Sequence, residues 1–350
     1  MSVEALFREA NALHLAGDFA AAEERYLALT TASPHFGFHN LGVLYFKLGR
    51  DAESEEAFVS ALRAAPGSAS TRHAFGLLLL RMGRLADGWP LYECRRQDPG
   101  AKLTRPNLPY PSWTGENLAG KHLVVVREQG FGDQIMFARF LPTLARMAGK
   151  VTYVCSPNLV RLFAGLSADL GVDLVPASEA APPREADYWT PDCSLGLRLG
   201  VTLETLSAAP YLAPVPLSSG GGVGVMLKGS PGHLNDRNRS LPPAAAAALA
   251  ALGRDLAPEA TGARDFQDTA EIIAGLDLVV SVDTAVAHLA GALGKPVWIL
   301  IPGIDTDWRW LAERTDSPWY ATARLYRQET AGDWTATVGR LQRDLAGGTA

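Results

Sequence analysis

Regularly spaced glycine turns in the first hundred residues are the strongest constraint on what this chain can fold into. Gly17, Gly49 and Gly83 each stand between two apolar helical stretches, and the intervals between them are 32 and 34 residues. Glycine ends helices readily because it adopts left-handed backbone conformations at little steric cost. Self-similarity at such a period predicts stacked helix pairs, each of which buries its apolar face against the next pair. We therefore predict a helical array over residues 1–98.

The array resembles the tetratricopeptide repeat, a helix pair of about 34 residues, in about three copies. Leu41-Gly42 and Phe75-Gly76 recur 34 positions apart, where small residues let paired helices approach closely. The large side chains predicted to fill the gaps between repeats are Tyr26, Phe58 and Tyr92.

Two functions fit such an array. It is either a helical spacer or oligomerisation surface, or a concave groove that binds a protein or peptide acceptor. Four aromatic residues are candidates to line a groove, although each is also a candidate core residue: Phe36, Phe38, His39 and Tyr45.

The overall composition excludes several classes of protein. The chain has 350 residues, 47% of them apolar, and a formal net charge of −5, which gives no electrostatic reason to expect nucleic acid as a partner. No apolar run is long enough for a membrane span, and the N-terminal residues do not read as a signal peptide, so a cytoplasmic location is expected. Cys94, Cys155 and Cys193 are far apart, and the chain has only seven histidines, so no metal site is predicted.

Beyond residue 98 the pattern changes from repeats to alternating strands and helices. Residues 99–121 are rich in proline, glycine and polar residues, which indicates a linker. Tyr110 and Trp113 offer apolar anchors with which this linker can pack on the following domain. A second proline- and glycine-rich break at 209–222 separates two α/β halves.

The two halves are predicted to span residues 122–217 and 218–350. The predicted strands are His122–Glu128, Val151–Ser156, Val172–Ala177, Ala186–Pro191, Val223–Gly229, Leu278–Asp283 and Pro296–Pro302. The predicted helices are Asp133–Met147, Pro157–Leu166, Pro243–Leu252, Phe266–Asp277 and Thr284–Gly294. This alternation is typical of doubly wound parallel sheets, whose strand ends line a cleft that binds ligands.

The first candidate site follows the first strand of the first half. Gly130 and Gly132 permit a tight turn, and Asp133 follows them at the start of a helix. Asp133 is either a helix cap or a catalytic carboxylate facing a substrate. Ile135 occupies the position where a dinucleotide-binding motif has its third glycine, which argues against an NAD-dependent enzyme.

Two further candidate stretches follow strands of the second half. Lys228, Arg237 and Arg239 lie in a glycine- and asparagine-containing loop before a helix that starts with proline. This loop is either a solvated basic loop or a clamp for a diphosphate. Asp283-Thr284 stands where a strand gives way to a helix whose first amides can bind an anion, and His288 lies one turn further on.

A fourth stretch, 301–320, follows the last predicted strand. Asp305-Thr306-Asp307 forms a D-x-D pattern that we interpret as incidental rather than as a metal–nucleotide site. Trp308 and Arg309 are candidates for contact with a polar ligand.

Taken together, these stretches resemble glycosyltransferase family 9, the heptosyltransferases. The residues that carry the resemblance are the Gly-Asp turn at 132–133, the N-D-R-N-R-S run at 235–240, the D-T-A-V-A-H-L-A-G-A-L-G-K-P-V-W-I-L run at 283–300 and the D-W-R-W-L run at 307–311. Bacterial tetratricopeptide proteins that carry a related transferase domain match more closely, over nearly the whole chain.

The resemblance implies a GT-B architecture of two Rossmann-like halves and an inverting, metal-independent glycosyltransferase. It implies that Asp133 is the general base. The implied donor- and phosphate-binding residues are Gly130, Gly132, Lys228, Asn238, Arg239, Asp283, Thr284, His288 and Arg309. A nucleotide-sugar is then a co-substrate, and no further cofactor is implied. The proteins with which members of this family occur suggest flagellin or another surface protein as the acceptor.

One stretch departs from the family pattern. Residues 253–266 are too few for the strand, polar turn and strand that contact the nucleotide base in these relatives. The alternative is therefore a non-catalytic scaffold, with repeats for partner binding and a degenerate transferase-like domain.

Overall fold

The computed structural model describes residues 2–103, 106–177, 183–212, 220–233 and 235–347. The chain divides into two compact units. The helical unit comprises Met1–Leu103 and Gly303–Glu313, and the sheet unit comprises Thr104–Pro302 and Arg314–Ala350. The boundary predicted at residue 217 lies outside the described residues.

Six helices build the helical unit as three successive pairs. They are α1 (Val3–Ala16), α2 (Phe19–Ala32), α3 (Pro34–Leu48), α4 (Asp51–Ala64), α5 (Ala69–Arg81) and α6 (Leu85–Tyr92). The turns within the pairs contain Gly17, Gly49 and Gly83, with φ of 87°, 74° and 78°. These left-handed conformations confirm the prediction that glycine lies in the turn between the two helices of each pair.

Small residues allow the helices to pack closely. A Cβ atom on Gly42 would lie 2.6 Å from the Phe58 ring, and one on Gly76 would collide with the Tyr92 backbone. Phe58 and Tyr92 are fully buried, as is Tyr26. The three aromatic residues are therefore buried as expected, and Phe58 and Tyr92 pack against small residues of their own helix pair.

The segment 303–313, which the sequence assigned to the second half, packs within the helical unit. The Trp308 ring lies 5.4 Å from the Trp89 ring and 6.0 Å from the Tyr92 ring, measured between centroids. The segment also forms backbone hydrogen bonds, from Asp305 N to Lys47 O at 2.8 Å and from Ala312 N to Arg81 O at 3.0 Å. A buried aromatic anchor thus ties this loop to the helices.

The first sheet of the sheet unit is parallel, with the order β3-β2-β1-β4. Its strands are β1 (His122–Val126), β2 (Lys150–Cys155), β3 (Asp173–Pro176) and β4 (Tyr188–Pro191). Its helices are α7 (Phe131–Phe137), α8 (Leu141–Met147), α9 (Pro157–Leu170) and α10 (Leu195–Arg198). The predicted linker packs here as expected, because Tyr110 and Trp113 are buried and Trp113 N donates to Trp189 O at 2.7 Å.

The second sheet is also parallel, with the order β6-β5-β7-β8-β9. Its strands are β5 (Val223–Met226), β6 (Arg254–Asp255), β7 (Leu278–Val282), β8 (Val297–Ile301) and β9 (Ala323–Arg327). Its helices are α11 (Asp236–Arg239), α12 (Pro243–Ala250), α13 (Pro258–Thr261), α14 (Phe266–Ala274), α15 (Ala285–Ala292) and α16 (Thr335–Ala346). Side chains of α12 and α16 cover one face, where Leu249 and Leu341 pack with Trp298.

The prediction of two parallel α/β sheets after a helical region is confirmed, with local differences. The helix predicted over Asp133–Met147 is two helices, because a tighter 3₁₀ turn at Ala138–Phe140 separates α7 from α8. The short stretch 253–266 contains the two-residue strand β6 and the one-turn helix α13. None of the described helices is long and apolar enough to cross a membrane.

A buried guanidinium joins the two sheets of the sheet unit. Arg139 donates from Nη1 to Ser207 O at 2.9 Å and to Trp319 O at 2.8 Å, and from Nε to Met136 O at 2.9 Å. Its guanidinium carbon also lies about 5 Å from the centroids of three aromatic rings. These rings are Tyr211, Trp319 and Tyr320, at 4.9, 5.1 and 4.9 Å. The hydrogen bonds of this guanidinium therefore hold the backbone at Met136, Ser207 and Trp319 in fixed relative positions.

We expect Arg139→Lys to destabilise the protein by about 2–4 kcal/mol, because an ammonium cannot reproduce the donor fork and leaves buried carbonyls unpaired. Arg146→Lys is the matched control, since Arg146 is exposed and bonds only locally to Thr143. Urea unfolding followed by tryptophan fluorescence measures the difference in stability between the two variants. Equal midpoints for the two variants would contradict the bridging role of Arg139.

Candidate functional site

The second sheet places two of the predicted stretches at its topological switch point. From β5 the chain passes to β6 on one side of that strand. It then returns to β7, which pairs with β5 on the other side. Parallel sheets bind ligands in the crevice at such a point, outside the carboxyl ends of the strands. Lys228 follows β5, and Asp283-Thr284 follows β7, so the structure brings these predicted residues to one edge of the sheet.

Arg239 bridges the two loops at this edge. Its Nη1 donates to the Asp283 carbonyl oxygen at 2.8 Å, and its Nε lies 3.3 Å from Asp236 Oδ1. The side chain is nine-tenths buried, whereas that of Arg237 is exposed. Arg239 is therefore held at the switch point, and the alternative of a solvated basic loop is wrong for this residue.

The loop after β5 is closed tightly around Gly229. Gly229 N donates to Ser240 Oγ at 2.8 Å, and Ser240 Oγ donates to Asp236 Oδ1 at 3.0 Å. A Cβ atom on Gly229 would lie 2.6 Å from Arg239 Nε, so a larger residue would displace the guanidinium. The neighbouring Lys228 is exposed, and Asn238 donates to the side chain of Asn235 in the same loop.

Thr284 and His288 occupy different environments on α15. Thr284 is the extended N-cap, with φ −145° and ψ 171°, and its hydroxyl lies 3.1 Å from Ser281 Oγ. His288 is buried, and its Nδ1 lies 2.9 Å from Tyr320 OH. The His288 ring is therefore fixed in place by a buried partner, and its ligand-binding role stays a prediction.

The Gly-Asp turn of the first sheet meets this helix directly. A Cβ atom on Gly132 would lie 2.8 Å from His288 Cδ2 and 3.6 Å from Ala285 Cα. Asp133 is the third residue of α7, and its Oδ2 accepts a hydrogen bond from Gly130 N at 2.9 Å. The structure thus brings Gly130, Gly132 and Asp133 next to the start of α15. Asp133 therefore caps α7, and its catalytic role stays a prediction.

Asp192 is a residue that the sequence did not single out. It follows β4, the strand that pairs with β1 on the side away from β2, so it lies at the switch point of the first sheet. Its Oδ1 accepts hydrogen bonds from Glu128 N at 3.1 Å and Cys193 N at 2.7 Å, and Tyr153 OH donates to Oδ2 at 3.2 Å. Burial, together with the nearby Glu128 and Asp133 carboxylates, raises the pKa of Asp192 to about 7.

A signal for Asp192 was present in the sequence, because a carboxylate directly after a strand of a parallel sheet lies at the ligand edge. The strand itself, Tyr188–Pro191, has only four residues, and Asp192 follows it directly. Its pairing with β1 is not visible in the local pattern.

Arg309 and the other predicted site residues belong to different units of the chain. Arg309 belongs to the helical unit, where its Nη1 lies 2.9 Å from Asp307 Oδ1 and its guanidinium stacks 4.4 Å from the Trp308 ring centroid. Asp307 Oδ1 also accepts a hydrogen bond from Arg309 N at 2.9 Å. Asp307 thus serves local structure, and within the described residues no group of three histidine, cysteine, aspartate or glutamate side chains forms a candidate metal site.

The segment that carries the β5 and β7 loops has a recognisable sequence. Residues 224–300 match the model of Glycosyltransferase family 9 (heptosyltransferase). The chain is also 28% identical, over 368 aligned positions, to Protein FlbA from Caulobacter vibrioides. That alignment covers 88% of this chain and 61% of FlbA, so the chain spans less than two thirds of this relative.

Solved structures show weaker similarity. The iron-containing dodecameric glycosyltransferase TibC from enterotoxigenic E. coli H10407 aligns with a TM-score of 0.44 and 14% identity, over 66% of this chain and 78% of TibC. A family 9 glycosyl transferase from Veillonella parvula aligns with a TM-score of 0.39 and 12% identity, over 65% of this chain and 93% of that protein. Scores at this level do not establish a common fold.

We expect Gly132→Ala to destabilise the protein by about 1–3 kcal/mol, because the new methyl group overlaps the fixed His288 ring. Gly165→Ala is the control, since Gly165 lies within α9 and its Cβ would have open space around it. Replacing a helical glycine of this kind stabilises a protein by up to about 1 kcal/mol. Thermal unfolding of both variants checks the contact, and an unchanged midpoint for Gly132→Ala would contradict it.

Proposed function

We propose that this chain is a glycosyltransferase that moves a sugar from a nucleotide-sugar donor to a protein or peptide acceptor. The observation that carries the proposal is the Arg239–Asp283 bridge at the β5/β7 switch point, within the residues that match the family 9 model. The two parallel sheets are the arrangement expected of a GT-B enzyme. We further propose that transfer is inverting and metal-independent, as the family resemblance implies.

The donor site needs positive charge at the leaving phosphate. Arg239 at the strand edge and Lys228 beside it supply cations, and the first amides of α15 after Thr284 point along the helix dipole towards an anion. Such fixed groups stabilise the charge that develops on a departing nucleotide. Arg239 is the stronger candidate because it is buried and held in place, whereas Lys228 is exposed.

The acceptor side needs a base. Asp133 lies on the turn that faces α15, and we assign it the removal of the proton from the attacking hydroxyl. A general base of this kind supplies typically about 10²- to 10⁴-fold in rate.

The helical unit is the proposed acceptor platform, on the basis of its resemblance to tetratricopeptide repeats. The four aromatic residues that the sequence offers as candidates for its groove make other contacts. Phe36 and Phe38 pack against the core, His39 Nδ1 lies 3.1 Å from Thr71 Oγ1, and Tyr45 OH donates to Glu23 at 2.8 Å. A groove would therefore be lined by other, more exposed side chains.

Donor binding is tested by thermal shift with a panel of UDP-, GDP-, ADP- and CMP-linked sugars. We expect one class to stabilise the protein, and Arg239→Gln to weaken its binding about 10- to 100-fold through the lost charge-assisted hydrogen bonds. Arg237→Gln is the control, because it removes an exposed charge two residues away. Failure of every donor to bind would overturn the enzyme proposal and favour the scaffold alternative.

Catalysis is tested with Asp133→Asn, which keeps an oxygen that can accept from Gly130 N but removes the charge. We expect transfer to fall by about 10²- to 10⁴-fold with donor affinity retained. Asp169→Asn, at an exposed position on α9, is the control. Equal transfer by the Asp133 and Asp169 variants would mean that Asp133 is a cap only. With a labelled donor, label in protein supports the protein acceptor, and label confined to small molecules contradicts it.

A further inference from the structure

Asp192 connects the strand β4 to the turn that carries Asp133. Its Oδ1 accepts the hydrogen bond from Glu128 N, the second residue after β1, and the turn continues through Gly130 to Asp133. The same oxygen accepts from Cys193 N, so one carboxylate ties the ends of β1 and β4 together. The carboxylate is fully buried, in contrast to that of Asp187 at the start of the same strand.

The surroundings of Asp192 contain several titratable groups. They are Glu128 after β1, Asp133 on α7, Tyr153 and Cys155 on β2, and the adjacent Cys193. Two of these groups are carboxyls that repel a charge on Asp192. Arg127, after β1, is a cation that acts on Cys155. Because like charges repel, a charge on Asp133 opposes the ionisation of Asp192, and a charge on Asp192 opposes that of Asp133.

We propose that Asp192 is a positioning residue for the base Asp133: it holds the turn after β1 through the Glu128 amide, and its negative charge favours proton transfer to Asp133. The inference rests on the proposed function. Asp192 does not touch the substrate and exchanges no proton with it.

The reaction step defines where this effect acts. The acceptor oxygen forms a bond to the anomeric carbon, and the bond from that carbon to the phosphate oxygen breaks with its electron pair leaving on the nucleotide. The hydroxyl proton passes to the Asp133 carboxylate. A negative charge on Asp192 favours this transfer, because protonation of Asp133 removes the repulsion between the two carboxylates.

The pH dependence of transfer tests the proposal. The pKa of Asp192, about 7, predicts that the kcat of the unmodified chain rises as pH passes through neutrality. Asp192→Asn keeps an oxygen to accept from Glu128 N but removes the charge, so we expect this rise to disappear, with kcat at pH 8.5 about 3- to 10-fold lower. Asp192→Ala removes both functions and should lower kcat at every pH.

Asp187→Asn is the matched control. Asp187 Oδ2 accepts from His122 N at 2.8 Å, so it also ties β4 to β1, but at the opposite end of the strands. We expect the kcat of this variant to rise with pH as it does in the unmodified chain. If Asp192→Asn keeps the rise as well, the proposed electrostatic role is overturned.

A second readout does not depend on transfer. Because burial favours the protonated form of Asp192, the unmodified chain should lose stability relative to Asp192→Asn as pH rises from 5 to 8, and the difference in unfolding midpoint should grow in favour of the variant. A constant difference would overturn the protonation behaviour on which the role depends. Failure of the proposed function is distinct, since it appears as absence of donor binding or transfer in the unmodified chain.

Discussion

The two sheets of the sheet unit meet where the Gly132 backbone packs closely against the His288 ring. The position admits no side chain, and the His288 ring is held from its other side by Tyr320 OH. Arg139 reinforces the junction by binding carbonyls on both sides of it. Two turns that follow strands in different sheets are thereby kept adjacent, and a ligand bound at the start of α15 would lie beside Asp133.

Features governed by local physics were predictable from the sequence. Gly17, Gly49 and Gly83 mark helix ends because few other residues adopt left-handed conformations readily. The strands β7 and β8 were predictable because all of their residues are buried in a parallel sheet and read as continuous apolar runs. The switch-point position of Asp283 followed from its place directly after a strand, and that of Arg239 from its place in the segment between β5 and α12.

Features governed by pairing between distant segments were not predictable. Strand β9 has two arginines among its five residues, and α16 is strongly polar on one face, so neither has a clear signal on its own. Asp192 becomes significant only when β4 is known to pair with β1. Arg309 follows a strand of the second sheet in the sequence, yet its neighbours Trp308 and Asp305 pack or bond within the helical unit.

The placement of segment 303–313 makes the helical unit discontinuous in the chain. About 200 residues separate its first part, which ends at Leu103, from the segment beginning at Gly303. During synthesis the helices therefore emerge long before the tryptophan that completes their packing, and Trp89 and Tyr92 stay uncovered in the interval. For the same reason no single cut in the chain removes the whole helical unit. A truncation that deletes the residues before position 96 would remove Trp89 and Tyr92, and the large apolar side chain of Trp308 would become exposed.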